Sequence, residues 1–179
     1  MDATPTTDSR PEIRDGAVDP STSVTALRSQ HPTGLLGIPA GELRVTWRTM
    51  SSAAQSRQVA YEIHASASAV FEAASTTGTV WSCESFAQSA PGGELLSREV
   101  RYLRVRIATD DGWTRWSGTL RVEAGLAVAS DWTAVAVGIA SKVAGPSPIL
   151  RSEFTLREAP VSARLYVSSL GLNEVHLNG

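Results

Sequence analysis

Cysteine is nearly absent from this sequence of 179 residues, since Cys83 is the single one. One cysteine cannot form an internal disulfide, which excludes the disulfide-stapled class of small secreted domain. Stability must therefore come from the packing of side chains.

Long apolar runs are also missing. No segment approaches the roughly 20 apolar residues that a membrane-spanning helix requires. The first thirty residues contain no apolar run of the kind found in secretory signal peptides. We therefore expect a disordered leader over residues 1–33, a cytoplasmic location and no membrane partner.

The charges are balanced and scattered. Lysine and arginine total 16 against 18 for aspartate and glutamate, a formal net charge of -2, and no block of like charges occurs. A basic patch is the usual electrostatic footprint of a protein that binds nucleic acid. The sequence therefore predicts no nucleic-acid partner.

Motifs for catalysis, metal binding or cofactor binding are lacking as well. His31, His64 and His176 show none of the i, i+4 spacing of a helical zinc site, and no G-x-S-x-G elbow or phosphate-binding glycine loop occurs. The adjacent acids Asp110 and Asp111 are typical of a solvated turn, because successive side chains on a strand point in opposite directions. We expect no catalytic residue, no metal and no cofactor in this chain.

What the sequence does contain is apolar alternation with period two, which predicts strands with one buried face. It occurs at 43–47, at 59–65 and most regularly at 102–109. The last run leads into an Asp-Gly turn, which is typical of hairpins, and a return strand is expected at 119–123. Helix-forming content is confined to 66–75, which is too short for more than a turn or two.

Short strands separated by Gly, Pro and Ser clusters are typical of a β-sandwich, which we place at residues 34–124. A second β unit is expected from residue 125, with strand-like runs at 149–158 and 163–169. Asn178 and Gly179 form the dipeptide most favoured in two-residue hairpin turns, with no strand after them. We therefore expect the chain to end within a hairpin of an incomplete second domain, residues 125–179.

Several runs, in order, resemble the N-terminal region of bacterial α-L-rhamnosidases, glycoside hydrolases that remove terminal rhamnose. They are LRVTW (43–47), QVAYEI (58–63), VWS (80–82), RYLRVRI (101–107), WS (116–117), AGL (124–126), DW (131–132), RSEF (151–154) and ARLYVSSLGLNEVHLNG (163–179). Cys83, Leu103 and Asn173 depart from the Gly, Trp and Tyr that the family usually places there.

The resemblance implies an all-β chain: a fibronectin type III-like β-sandwich, then the start of a jelly-roll-like β domain. It also implies a downstream catalytic (α/α)-barrel, which would carry the paired acids and is absent from these residues. The chain would then be the N-terminal accessory region of an α-L-rhamnosidase, inactive alone, with the barrel as partner and a rhamnoside glycan as possible ligand. The alternative is a stand-alone carbohydrate-binding or protein-interaction module on the same sandwich.

The five tryptophans are the candidates for contact with a glycan. Trp47 lies on the apolar face of its strand, and Trp81, Trp116 and Trp132 coincide with the family pattern, which favours packing roles. Trp113 follows the Asp-Gly turn and matches nothing in that pattern, so it is the candidate substrate-binding residue. We expect Arg104 and Arg106 to face outward on their strand, with a cross-strand partner such as Glu62.

Overall fold

The computed structural model describes residue 13 and residues 17–31, 36–138 and 148–178. Clustering of contacts divides the chain into Met1–Asp131 and Trp132–Gly179, and each unit is described by itself. Most of the expected leader lies outside the described residues, and so does Gly179 of the expected terminal hairpin.

The described part of the first unit is all-β, as expected. Its strands are β1 (Thr22–Ser29), β2 (Leu36–Ile38), β3 (Arg44–Ser51), β4 (Ala60–Ser66), β5 (Ser75–Thr76), β6 (Gln88–Ser89), β7 (Val100–Thr109), β8 (Gly112–Trp113) and β9 (Leu120–Ala124). A single 3-10 turn, Ala129–Asp131, follows them. The stretch 66–75 with helix-forming content forms no helix: Ser66 ends β4, Ser75 begins β5, and the residues between them form bends and turns, with Phe71 at a φ of 58°.

The strands build two sheets that enclose the core. The smaller has the order β1-β3-β6, and the larger has the order β2-β9-β7-β4-β5, with β8 paired to β7. β4 and β7 run antiparallel in register from Ala60 opposite Ala108 to Ser66 opposite Tyr102. Period-two alternation in β7 turns Leu103, Val105 and Ile107 inward, and all three are fully buried.

Side chains from both sheets meet in this core. Trp47 of β3 is 1% exposed and packs edge-on against Tyr61 of β4, with ring centroids 5.1 Å apart. Its indole N–H donates to Gln58 Oε1 at 3.0 Å. The single polar atom of the buried ring therefore has a hydrogen-bond partner. The packing role expected for Trp47 is confirmed.

The turn after β7 forms as expected, but the return strand begins earlier. Thr109 pairs with Gly112 and Ala108 with Trp113, so β8 starts the return at once and β9 continues it from Leu120. Gly112 has a φ of +129°, and a Cβ there would lie 2.6 Å from the backbone oxygen of Ala17. Only glycine allows that close approach of the chain segment before β1.

The disordered leader expected over residues 1–33 is shorter than predicted, because Thr22–Ser29 form β1. This strand pairs with β3 along its length and buries Val24 in the core. Its alternation is hidden in the sequence because the pairing register shifts between Thr25 and Arg28, where Ala26 has a φ of 50°. A bulge of this kind moves later side chains out of the period-two pattern.

The second unit differs. In its described residues, 132–138 and 148–178, no strand or helix forms, so the expected strands at 149–158 and 163–169 are not observed. A strand needs a neighbour to satisfy its backbone donors and acceptors, and none is paired to these runs. Within the described part of the chain, no helix is long and apolar enough to span a membrane.

Candidate functional site

The outward face of β4 and β7 carries a stack of arginine and aromatic side chains, which we call the ladder: Phe71, Arg104, Trp116, Arg106 and Trp113. Arg104 Cζ lies 4.2 Å from the ring centroid of Phe71 and 4.5 Å from that of Trp116. Arg106 Cζ lies 4.6 Å from Trp113 and 4.8 Å from Trp116. Each such cation–π contact contributes about 0.5–2 kcal/mol, depending on how far it is desolvated.

The strand pattern positions the ladder. Arg104 and Arg106 are two residues apart in β7 and therefore share its outward face. The return segment carries Trp113 and Trp116 back over them, held to β7 by the bonds Thr114 N–H to Ile107 O and Ser117 N–H to Val105 O, both 2.8 Å.

A chain of polar contacts accompanies the ladder. Arg106 Nε donates to Glu62 Oε2 at 2.8 Å, which confirms the expected cross-strand pairing. Thr76 Oγ1 donates to Glu62 Oε1 at 2.9 Å, and His64 Nε2 lies 3.0 Å from the same oxygen. Burial raises the pKa of Glu62, but hydrogen bonds from Arg106, Thr76 and His64 outweigh it and hold that pKa below its ordinary value.

His64 has a defined tautomer in this arrangement. Arg104 Nη2 lies 3.2 Å from His64 Nδ1, and an arginine can only donate, so Nδ1 accepts. Nε2 therefore carries the proton that His64 donates to Glu62. Arg104 Nε is buried and has no hydrogen-bond partner among the described residues, and its guanidinium lies against aromatic rings instead.

Trp113, the candidate from the sequence, is half-buried and forms one end of the ladder. Its backbone joins the segment before β1, because Trp113 N–H donates to Ala17 O and Asp19 N–H donates to Trp113 O. Contact with a glycan through Trp113 stays a prediction. Trp81 and Trp132 are 38% and 41% exposed, and Trp116 is half-buried in the ladder.

Beside the ladder lies a groove of about 320 Å³. One wall is the start of β1 with Asp19 and Pro20, and the other is the segment 115–118; we call this the β1 groove. Among the described residues, no group of three or more His, Cys, Asp or Glu side chains is placed to hold a metal ion.

Asp19 fixes the β1 side of the groove. Its Oδ1 accepts from Ser21 N–H at 2.8 Å and from Thr22 N–H at 3.2 Å, and its Oδ2 accepts from Thr109 Oγ1 at 2.7 Å. Burial raises the pKa of Asp19, but these hydrogen bonds and one from the Ser21 hydroxyl lower it to about 2. The carboxylate is therefore charged and occupied by donors of the chain itself.

Sequence reasoning found the outward arginines and their partner Glu62 but missed the ladder. The signal was present, because two tryptophans on the return segment lie opposite two outward arginines of β7. The spacing of the tryptophans hides the ladder. Trp113 and Trp116 are three residues apart, whereas two side chains on the same face of a regular strand are separated by an even number of residues. No sequence pattern predicts the β1 groove, because residues 19–24 and 115–118 are brought together only by the fold.

Comparison with known proteins places this fold among relatives. The family model described as "Rha78A-like, N-terminal immunoglobulin domain" matches residues 24–128. An α-L-rhamnosidase from Alteromonas sp. (strain LOR) is 29% identical over 161 residues, which cover 80% of this chain and 17% of that protein.

Two solved structures agree. Streptomyces avermitilis α-L-rhamnosidase complexed with L-rhamnose is similar with a TM-score of 0.59 and 30% identity, over 64% of this chain and 12% of that one. Native α-L-rhamnosidase from Aspergillus terreus gives a TM-score of 0.56 and 30% identity, over 63% of this chain and 13% of that one. The chain thus spans less than a fifth of the length of these relatives.

The matched region contains the two-sheet sandwich and the ladder. An immunoglobulin-like domain shares its two-sheet architecture with the fibronectin type III fold expected from the sequence. The resemblance inferred there is confirmed. Because the family model covers more than half of the residues, the chain belongs to the family of Rha78A-like N-terminal immunoglobulin domains.

Proposed function

We propose that this chain is the N-terminal accessory region of an α-L-rhamnosidase that hydrolyses terminal α-L-rhamnosides, and that it is inactive alone. The match to α-L-rhamnosidases over a small share of their length carries the proposal. The downstream catalytic (α/α)-barrel is then its principal partner. Its location would be cytoplasmic, and a second β domain over residues 125–179 belongs to the same proposal, whereas the sandwich begins with β1 at Thr22 rather than at residue 34.

The acidic side chains of the described residues support a non-catalytic role. Hydrolysis of a glycoside needs two carboxyl groups on either side of one bond, about 6.5–9.5 Å apart in an inverting enzyme. Glu62 is engaged by Arg106 and Asp19 by backbone and hydroxyl donors, so neither is free to protonate a leaving group. Asp110 and Asp111 lie in an exposed turn, as expected.

An assay with p-nitrophenyl α-L-rhamnoside tests this directly. The purified chain should release no p-nitrophenol, whereas a protein encoded by the reading frame continued past codon 179 should release it. If the frame stops there and no neighbouring gene encodes a helical barrel with paired acids, the accessory role is wrong. Turnover by the chain alone, lost in Glu62→Gln, would likewise contradict it.

The second candidate function is a carbohydrate-binding or protein-interaction module. The ladder favours it, because tryptophan and arginine are the residues most enriched at energetically important contacts. If Trp113 contacts a rhamnoside glycan, its fluorescence should shift on addition of L-rhamnose. Trp113→Ala should remove the shift while the circular dichroism of the folded protein is retained. A shift that persists in Trp113→Ala would assign the contact to another tryptophan.

A further inference from the structure

His64 lies on the outward face of β4, between two groups of opposite charge. Its Nε2 lies 3.0 Å from Glu62 Oε1, and its Nδ1 lies 3.2 Å from Arg104 Nη2. Its ring packs against Trp116, with ring centroids 4.2 Å apart. The side chain is only 19% exposed, so solvent screens these contacts incompletely. His64 therefore connects the carboxylate of Glu62 to the guanidinium at one end of the ladder.

The two arginines of the ladder are held in different ways. Arg106 forms an ion pair with Glu62. Arg104 forms no ion pair with any residue that the structure describes, and its buried Nε has no hydrogen-bond partner there. Its Nη2 donates to His64, and its guanidinium lies against Phe71 and Trp116. Apart from the two rings, the neutral imidazole of His64 is therefore the group that holds Arg104 in place.

Protonation of His64 would change its contact with Arg104 and preserve its contact with Glu62. The proton would bind at Nδ1, because Nε2 already carries one. Nδ1 would then be a donor and could no longer accept from Arg104. The imidazolium would also bring a second positive charge next to Nη2, and like charges at 3.2 Å repel each other strongly in a partly buried site. The bond to Glu62 would become charge-assisted and stronger.

Among the groups around His64, histidine is the type of side chain that ordinarily changes charge between pH 5 and 8. The titratable or charged side chains that face it are Glu62 on β4 and Tyr102, Arg104 and Arg106 on β7. β5 and the return segment contribute Thr76 and Trp116, which do not titrate. Burial raises the pKa of Glu62, but the hydrogen bonds that it accepts outweigh burial and hold that pKa below its ordinary value. Glu62 therefore remains a carboxylate in mild acid.

We propose that protonation of His64 releases Arg104 from the ladder, so that mild acid uncovers the rings of Phe71 and Trp116. Phe71 is 8% exposed while Arg104 lies over it. Arg106 stays in place, because its ion pair with Glu62 does not involve the imidazole nitrogen that gains the proton. This pH-sensitive switch is independent of the proposed function, because all of its contacts lie within the sandwich.

Nuclear magnetic resonance of the whole chain, with isotope-labelled arginine, measures the release. Ring currents of Phe71 and Trp116 displace the side-chain proton signals of Arg104 upfield, whereas Arg48 is exposed and contacts no ring among the described residues. From about pH 8 to about pH 5, the Arg104 signals should move to the position of the Arg48 signals. The signals of Arg106 should keep their positions. The Arg104 signals are assigned by their loss in Arg104→Lys.

Two substitutions of His64 separate the switch from a general effect of acid. A glutamine amide can accept from Arg104 and donate to Glu62, but it does not titrate. In His64→Gln the Arg104 signals should therefore stay upfield at both pH values. His64→Lys carries a positive charge at both, so the signals should already have the released position at the higher pH. If His64→Lys does not fold, the unmodified chain and His64→Gln still decide.

His176→Gln is the matched control, because His176 Nε2 also lies beside a glutamate, 3.2 Å from Glu174 Oε1, but no arginine among the described residues contacts the ring. This variant should respond to pH as the unmodified chain does. Circular dichroism at both pH values checks that the sandwich remains folded. Arg104 signals that stay upfield in acid, or that move equally in His64→Gln, would overturn the proposal. Movement of the Arg106 signals together with those of Arg104 would overturn the release of a single arginine.

Discussion

Both parts of this chain contain large apolar side chains, but the burial of these side chains differs between the two parts. In the first, residues such as Ile63, Leu103 and Val105 are fully buried between two sheets. In the second, the described residues are exposed except for the half-buried Tyr166, and Leu170 is 109% exposed. Apolar content and β-propensity are therefore not sufficient for a strand, since a core forms only where partner strands lie within the same chain segment.

The largest expected effect comes from the same substitution made in each part. Leu103→Ala should lower the free energy of unfolding by about 2–5 kcal/mol, because it leaves a cavity in the core. Leu170→Ala removes an exposed side chain and should change it by less than about 0.5 kcal/mol. Chemical denaturation monitored by tryptophan fluorescence measures both. Equal effects would show that the second part also has a packed core.

Two tryptophans that are not fully buried, one in each part, allow the same comparison of stability to be made at the surface. Trp116→Ala removes the central ring of the ladder and should cost about 2 kcal/mol, since it loses two cation–π contacts and the apolar area they cover. Trp132→Ala, in the second part, should cost much less, because that ring is 41% exposed. Thermal unfolding of the two variants measures the difference, and a neutral Trp116→Ala would show that the ladder adds no stability.

Asp19 gives the first part a specific dependence on pH. Its pKa is about 2 in the folded chain against an ordinary 3.8, so the charged form stabilises the fold by about 2 kcal/mol above pH 4. A depressed pKa means that this stabilisation is lost as the pH falls through the interval from about 4 to 2.

The control lies in the second part, where Glu153 pairs with Arg151 at side-chain exposures of 77% and 81%. Urea denaturation at several pH values should show the acid-induced loss weakened in Asp19→Asn and unchanged in Glu153→Gln. An identical pH profile for Asp19→Asn and the unmodified chain would show that the Asp19 hydrogen bonds do not stabilise the fold.

The smallest expected effect is a change in melting temperature when the chain is truncated near the boundary between the two parts. Asp131 Oδ2 accepts from the Ser97 hydroxyl and from Val128 N–H, the latter at 3.1 Å, which ties residues 127–131 to the loop before β7. Truncation after Asp131 should therefore leave the melting temperature unchanged. Truncation after Ala124 should lower it by a few degrees, corresponding to roughly 1 kcal/mol. Equal melting temperatures would place the limit at 124, as the sequence suggested.

Strands with regular alternation could be predicted from the sequence, as β3, β4 and β7 show, because apolar side chains recur at every second position where each strand faces the core, although the other face of β4 is also buried. β1 could not, because its bulge at Ala26 interrupts the period. The runs 149–158 and 163–169 carry the same local pattern as true strands, but whether they pair depends on partners that are distant in sequence. The ladder and the β1 groove likewise depend on register and on contacts between distant segments, which composition and spacing do not contain.

Hydrogen exchange of the whole chain tests most directly the claim that one part is a closed sandwich and the other is not. Amides of Ile63 and Val105 should exchange only on global unfolding, with protection near the full stability of about 5–15 kcal/mol. Amides of Tyr166 and Leu177 should exchange at nearly unprotected rates. Protection of Tyr166 equal to that of Val105 would contradict the account, because both parts would then belong to one cooperative fold.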